Sequence, residues 1–141
     1  MATTYLLDDM ADWLGADPTV NVTYVPTVNL IEGLLPDLPD VAASLFEPPG
    51  GPDQYTMGPG TLPAFSQPSL QVITRGTQDD YMGPRQGIEA ITRSLEGVCN
   101  TTINGTLYMR VARLAAPGFL HRDATRRVFF VCNFDVQQVP S

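Results

Sequence analysis

Residues 70–75, Leu-Gln-Val-Ile-Thr-Arg, alternate apolar and polar side chains and give the clearest fold signal in the chain. Alternation with a period of two indicates a β-strand with one buried face, and Gly76 is placed to end it. Two acids follow, Asp79 and Asp80, at a point where the free amides of a helix start favour a carboxylate. The stretch therefore predicts a strand that leads directly into a helix.

The helix itself is indicated by three apolar residues, Ile88, Ile91 and Leu95, that recur at helical spacing. Between them lie polar residues, and Glu89 precedes Arg93 by four positions, the order that favours an ion pair on a helix surface. Gly97 is well placed to end the helix. We expect the apolar stripe to pack on the sheet.

Two more strands are predicted near the C-terminal end. An Asn-Gly turn signal at 104–105 precedes a β pattern over 106–115, and residues 127–136 are dense in Val and Phe. We expect residues 119–126 to be a connection, and the two strands to form an antiparallel pair.

The N-terminal half begins with an amphipathic helix. Its apolar residues at helical spacing are Leu6, Leu7, Met10, Trp13 and Leu14. The acids Asp8, Asp9 and Asp12 fall on the opposite, solvent side, and Thr3 or Thr4 is a candidate N-cap. Gly15 is the predicted stop.

Three further segments follow before residue 64. The Val-, Thr- and Tyr-rich residues 20–28 predict a strand, and residues 41–46 predict a second one. Residues 30–38, which contain a glycine and a proline, fit either a short helical turn or an irregular segment. Residues 47–63 are rich in Pro and Gly and predict a long loop. Such a loop in a compact domain is usually functional or mobile.

The element order α-β-β-β-α-β-β predicts an α+β fold with one mainly antiparallel sheet and two helices packed on it. A length of 141 residues predicts a single domain over 1–141. The predicted core comprises Leu6, Met10, Trp13, Ile88, Ile91, Leu95, Phe129 and Phe134.

Charge is divided unevenly along the chain. Residues 1–74 contain nine acids and no arginine, whereas residues 75–141 contain six acids and all eight arginines, and lysine is absent. Net charge acts first on solubility, so a solvated acidic surface is the simpler interpretation. The alternative is that copies meet acidic half to arginine half in a head-to-tail ring. A pI of about 4.4 with no basic run disfavours specific nucleic-acid binding.

The residues that catalysis needs are scarce. His121 is the single histidine, and the absence of lysine excludes Schiff-base and P-loop chemistry. Cys99 and Cys132 lack metal-ligand spacing, and an apolar strand context predicts that Cys132 is a buried small residue. We therefore expect no enzyme activity, no metal and no cofactor. The contrary hypothesis is a small hydrolase or nucleotide-modifying enzyme whose activity depends on His121.

We expect no signal peptide, because the first residues do not show a charged and then apolar pattern, and no apolar run has the length of a membrane span.

The densest charged cluster lies just before the last strand. It fits either a local ion-pair network or a contact between subunits, since arginine is enriched at interfaces. If the cluster is intermolecular, reversing the charge of Arg126 and Arg127 together should weaken assembly. The candidate interface residues are Arg122, Asp123, Arg126, Arg127, Arg75, Asp79 and Asp80.

The Pro/Gly-rich loop is a natural contact arm for a subunit of a ring. Its candidate contact residues are Pro48, Pro49, Gly50, Gly51, Tyr55 and Met57.

The strand–helix block and the final strand pair resemble the tail terminators of long-tailed bacteriophages, which are often grouped with minor capsid (head–tail joining) proteins. The resemblance is carried by the N-terminal helix, by residues 71–76 (Gln-Val-Ile-Thr-Arg-Gly), and by Pro117-Gly118 followed by Asp123. An arginine at 126 or 127 and an aromatic-rich strand that ends in Asn133-Phe134 complete it. About two-thirds of the chain is covered, and the 47–63 loop is longer than the family pattern.

The resemblance implies a structural virion protein. Such a subunit forms a ring, commonly of six copies, that caps the tail tube, meets the head connector and lets DNA pass through its centre. Its implied partners are further copies of itself, the tail tube protein and the connector proteins. Its implied location is the tail–head junction of the virion, after assembly in the host cytoplasm. The alternative is a head-completion or connector adaptor protein of the phage neck.

Overall fold

The computed structural model describes residues 5–54 and 65–139. The helices in these residues are α1 (Leu6–Ala16), α2 (Pro18–Asn21) and α3 (Met82–Glu96). The strands are β1 (Leu30–Glu32), β2 (Ala42–Phe46), β3 (Gly51–Gln54), β4 (Phe65–Gln67), β5 (Ser69–Gln78), β6 (Cys99–Ile103), β7 (Thr106–Arg113), β8 (Gly118–Arg122) and β9 (Arg127–Val139).

The nine strands of the described residues form one sheet around β9, the longest of them. On one side β9 pairs with β5, which leads through β2 to β1 at the end of the sheet. On its other side β9 pairs with β7 and with β8. β1 and β2 are parallel and every other named pair is antiparallel, so the α+β prediction with a mainly antiparallel sheet is confirmed.

β7 and β8 lie one after the other along the same edge of β9. Leu114 begins the bulged segment between them, and its amide donates to the carbonyl of Asn133 over 2.9 Å. The chain then returns to β9 at Gly118, which is the register partner of Val131. Because Pro117 has no amide to donate, the interruption falls where a continuous ladder would lose a hydrogen bond.

Helices α1 and α3 pack together and cover one face of the sheet, where the core lies. Of the predicted core, Leu6, Met10, Ile88, Ile91, Leu95 and Phe134 are buried. Trp13 is partly buried against this core and donates its indole N–H to the carbonyl of Ser94 over 2.9 Å. The prediction for Phe129 is wrong, because the pleat turns Phe130 into the core and Phe129 to the other face.

The strand predicted over residues 20–28 is wrong. Asp17 caps α2 by accepting from the amide of Thr19, and Pro18 occupies the first helical turn. The Asn29 side chain then accepts from the amide of Val25 at 2.7 Å and donates to the carbonyl of Thr23 at 2.8 Å. Capping and side-chain hydrogen bonds therefore satisfy the backbone here in place of a ladder.

The loop predicted over residues 47–63 is wrong at residues 51–54, which form a strand, whereas residues 47–50 belong to no helix or strand and residues 55–63 lie outside the described residues. β3 begins at Gly51, which pairs with Gln67 of β4, and β4 in turn pairs with β9. A Cβ on Gly50 would collide with the carbonyl oxygen of Gln67, so the close approach of the two backbones requires a glycine there.

Besides β3 and β4, three strands were absent from the expectations: β1, β6 and β8. β1 lies in residues 30–38, which were expected to form a short helical turn or an irregular segment, so that expectation is wrong for residues 30–32. β6 pairs with β7 across the turn at Asn104 and Gly105, both of which have positive φ, so the Asn-Gly signal marked a hairpin. Most of β8 falls in the segment predicted as a connection. Its side chains are nearly all exposed, and such a strand shows no apolar alternation.

Burial departs from a simple pattern in β7 and in α1. Alternation in residues 106–115 is broken by a register shift between Tyr108 and Arg110, so that Tyr108 and Val111 are both buried. Asp9, expected on the solvent side of α1, is fully buried.

Candidate functional site

An arginine at the start of β9 binds three carboxylates of its own chain. The Arg127 side chain is 11% exposed, and its Nε donates to Asp123 Oδ2 at 2.8 Å. Its Nη1 donates to Asp40 Oδ1 at 3.2 Å and its Nη2 to Asp37 Oδ1 at 3.1 Å. The fork of donors is therefore used within the protein, which is the geometry that guanidinium groups favour with carboxylates.

A second buried arginine fastens the same segment through its backbone. Arg75 on β5 donates to the carbonyl of Pro39 at 2.6 Å and to that of Asp40 at 3.0 Å. Burial, together with the charge of Arg127, lowers the pKa of Arg75 below its ordinary value. Arg75 and Arg127 together fix the β1–β2 connection (residues 33–41) to the sheet.

Asp123 organises the turn between β8 and β9. Burial raises its pKa, but hydrogen bonds from Arg127 and Thr125 and the charge of Arg127 outweigh burial and bring the pKa down to about 2. The donors include the amides of Thr125 at 3.1 Å and Arg127 at 2.9 Å. Asp123 is thus a turn-forming carboxylate.

Arg126 and Asp79 join two neighbouring turns. Arg126 Nε donates to Asp79 Oδ1 at 3.0 Å, and the amide of Asp79 donates to the carbonyl of Arg126 at 2.9 Å. Both side chains are about half exposed. Asp80 accepts from the amide of Gly83 at 3.0 Å, as expected of an acid at a helix start.

Most of the charged cluster therefore forms ion pairs and hydrogen bonds within the chain, as the local interpretation predicted. Arg75, Asp79, Asp80, Asp123, Arg126 and Arg127 all make contacts within the chain. Arg122 differs, because it lies exposed on β8 and no described carboxylate pairs with it. A role of the cluster in contacts between subunits stays a prediction.

The predicted contact loop is divided by the fold. Pro48 is half-buried, whereas Pro49 and Gly50 are exposed and Gly51 is an exposed residue of β3. Pro48 and Pro49 line a cleft of about 370 Å³ beside the β7–β8 bulge. Tyr55 and Met57 lie outside the described residues.

Sequence reasoning missed an exposed aromatic cluster beside β8. Phe119 is 53% exposed and its ring stacks on Tyr81 at 6.3 Å. Both rings meet the buried Phe130 edge-on, at 6.1 and 4.9 Å. Leu120 and Met82 are also exposed nearby. The available signal was the pair of apolar residues Phe119 and Leu120 in the segment predicted to be a connection.

A polar clamp around the buried Asp9 was missed as well. Asn104 donates to Asp9 Oδ1 at 2.9 Å and to Asp12 Oδ2 at 2.8 Å, and Tyr108 donates to Asp9. Beside this clamp, burial and a hydrogen bond with Asp8 raise the pKa of Glu32 to about 7. No single-sequence signal marks a pairing of residues so far apart.

The groups considered for catalysis have structural surroundings. The exposed His121 stacks on Phe129 with ring centroids 4.4 Å apart. Cys132 is buried, and burial raises the pKa of its thiol, whereas Cys99 is exposed. Within residues 5–54 and 65–139, no three His, Cys, Asp or Glu side chains are grouped to hold a metal ion. The helices of this part are all too short or too polar to cross a bilayer.

Solved structures share this fold over nearly its full length. A chain from the virion of a native gene transfer agent (GTA) particle aligns with a TM-score of 0.69 and 12% identity, over 96% of this chain and 95% of that chain. A second solved protein aligns with a TM-score of 0.50 and 15% identity, over 95% and 92%. No family model and no curated protein matches the sequence. At these identities the likeness establishes a common fold.

Proposed function

We propose that the protein is a structural component of a virion that forms a ring, caps a tail tube and joins it to the head connector, with DNA passing through the ring. The observation that carries the proposal is the likeness to a gene transfer agent virion chain, which spans 96% of this protein. It agrees in kind with the tail-terminator resemblance of the strand–helix block.

The positions of the charged and nucleophilic side chains favour a structural subunit over an enzyme. Arg127 and Asp123 form an ion pair with each other that stabilises the turn before β9. Cys132 is buried, and its thiol is directed at the carbonyl of Ala115. The large exposed apolar side chains, in contrast, include Phe119 at 53% and Leu34 at 85%. Exposed apolar surface of this kind is typical of a protein that meets other proteins.

The proposal is tested by mixing the purified protein with tubes assembled from the tail tube protein of the same particle. Native mass and negative-stain images of the protein alone report whether it forms a closed ring, as cyclic symmetry allows. Rings seated on one end of each tube support the proposal. Binding to the portal or connector proteins without binding to tubes would identify a neck adaptor instead, and binding to neither would overturn both.

Reversing the charges of Arg126 and Arg127 together is a poor test of assembly. Arg127 is bound to Asp37, Asp40 and Asp123, so the double reversal would disturb the fold before it disturbed an interface. Arg122 is the better probe from this cluster, because it is exposed and outside these ion pairs.

A further inference from the structure

The outer edge of β8 is open in the described structure. β8 pairs with β9 on one side, and no described strand pairs with its other side. Its side chains from Phe119 to Arg122 are exposed, with Phe119 at 53% and Leu120 at 42%. An edge strand of this kind presents unpaired amides and carbonyls and serves as a template for another chain.

The apolar part of this edge packs against neighbouring aromatic rings. The ring of Phe119 is held between Tyr81, which stacks on it, and the edge of the buried Phe130. An aromatic side chain fixed in this way loses little conformational freedom when a partner covers it. Large aromatic residues are enriched in the centres of protein interfaces for this reason and for the area they bury.

A second exposed apolar surface lies on the β1–β2 connection. Leu34 is 85% exposed and Leu38 is 70% exposed. The connection is held against the sheet by Arg75, bound to the carbonyl of Pro39, and by Arg127, whose Nη1 donates to the carbonyl of Asp37 at 2.6 Å. The two leucines are thus displayed on a fixed segment.

The two surfaces differ in position and in charge. β1 and β8 lie on opposite sides of β9 in the sheet order, with β2 and β5 between β1 and β9. The β8 edge carries Arg122. The connection carries Asp37, whose side chain is 87% exposed although its Oδ1 accepts a hydrogen bond from Arg127. Pairing β8 with β8 of another copy would bring like charges together, whereas pairing it with the connection brings opposite charges together.

We propose that the β8 edge of one copy binds the β1–β2 connection of the next copy, with Phe119 and Leu120 against Leu34 and Leu38. The inference rests on the ring of the proposed function and specifies its contact. Because the two surfaces are different, the contact is heterologous, and repetition of it around an axis closes a ring.

Two variants test this contact, each altering one surface. The edge variant carries Phe119→Ser and Leu120→Ser, and the connection variant carries Leu34→Ser and Leu38→Ser. Each alone should fail to form rings, by native mass and by images of protein mixed with tail tubes. A 1:1 mixture should give a dimer of one edge chain and one connection chain, because each retains one intact surface. Val22→Ser removes a side chain that is 79% exposed on the helical layer and should leave ring formation intact.

The outcomes separate this inference from the proposed function. Rings and tube caps formed by either variant as readily as by the unaltered protein would overturn the contact but leave the function standing. Variants that are monomeric both alone and when mixed would also overturn it, since the intact connection of one variant and the intact edge of the other would then have failed to bind each other. Unaltered protein that stays monomeric alone and on tubes would overturn both. Circular dichroism of each variant confirms that the fold is kept.

Discussion

The buried phenol of Tyr108 on β7 donates a hydrogen bond to the fully buried carboxylate of Asp9 on α1, 99 residues away in the sequence. Asn104, in the turn that precedes β7, donates to the other oxygen of the same carboxylate at 2.9 Å. Two donors on one hairpin therefore hold the first helix in place. Hydrogen bonds to a carboxylate contribute more to stability than hydrogen bonds between neutral groups. Removing one donor from a buried carboxylate therefore lowers the free energy of unfolding.

Tyr108→Phe should lower the free energy of unfolding by about 1–3 kcal/mol, the usual cost when a buried polar group loses its partner. Urea unfolding followed by circular dichroism measures this directly. Tyr81→Phe is the matched control, because Tyr81 is 51% exposed. We expect its effect to stay within about 0.5 kcal/mol. Equal midpoints for the two variants would contradict the role of the clamp.

Arg127→Met should destabilise the protein by roughly 2–3 kcal/mol, since hydrogen bonds to charged groups contribute about 1.5–3 kcal/mol and the surviving acids repel one another. Arg93→Met, which removes the same charge, is the control. Arg93 pairs with Glu89 on the surface, and its side chain is 78% exposed. Such exposed pairs contribute about 0–1 kcal/mol. The two variants are compared by chemical unfolding in the same buffer, and a loss at Arg127 no larger than that at Arg93 would contradict the prediction.

Glu32 should make stability fall as pH rises from about 4.5 towards about 7. Burial and the neighbouring carboxylates, chiefly Asp8, raise its pKa in the folded protein from the ordinary 4.5 to about 7. Between these pH values the folded protein holds a proton that the unfolded chain releases. The stabilisation by Glu32 is therefore fully present below about pH 4.5 and is lost as the pH rises to about 7. Glu32→Gln should remove that decline.

Unfolding at pH 5 and pH 8 measures the effect, with Glu89→Gln as the control on an exposed face of α3. The control should keep the decline of the unaltered protein. A Glu32→Gln variant whose stability changes between the two pH values as much as the control's would show that Glu32 is not responsible.

Gly87→Ala should destabilise the protein, although alanine normally favours a helix interior by about 0.5–1 kcal/mol over glycine. A Cβ at position 87 would lie 2.8 Å from Tyr24 Cζ, and Tyr24 is itself buried at 1% exposure. Overpacking of this kind costs typically about 1–3 kcal/mol.

Gly118→Ala is the matched control, since a Cβ there meets nothing within 4 Å. Thermal unfolding of the two variants should therefore show a lowered midpoint for Gly87→Ala alone. A midpoint for Gly87→Ala at or above that of the unaltered protein would mean that α3 or Tyr24 moves aside at no cost.

The elements recovered from sequence are those whose own residues carry the pattern. α1 and α3 follow from apolar residues at helical spacing, and β5 follows from alternation over 70–75. The end of α3 at Gly97 and the tight turn at 104–105 are also local. In each case the physical cause, one buried face or one special backbone conformation, acts within a few neighbouring residues.

The rest depends on contacts between distant parts of the chain. β8 is a strand because β9 offers it an edge, although its side chains are exposed. Arg127 binds Asp37 and Asp40 because the fold brings these two residues to it from about ninety positions away in the sequence. Asp9 is buried because Tyr108 reaches it. Local pattern predicts α1, α3 and the strands β2, β5, β7 and β9. The remaining elements, the partner of each charged group and the surfaces left open are set by packing, which no short window of residues contains.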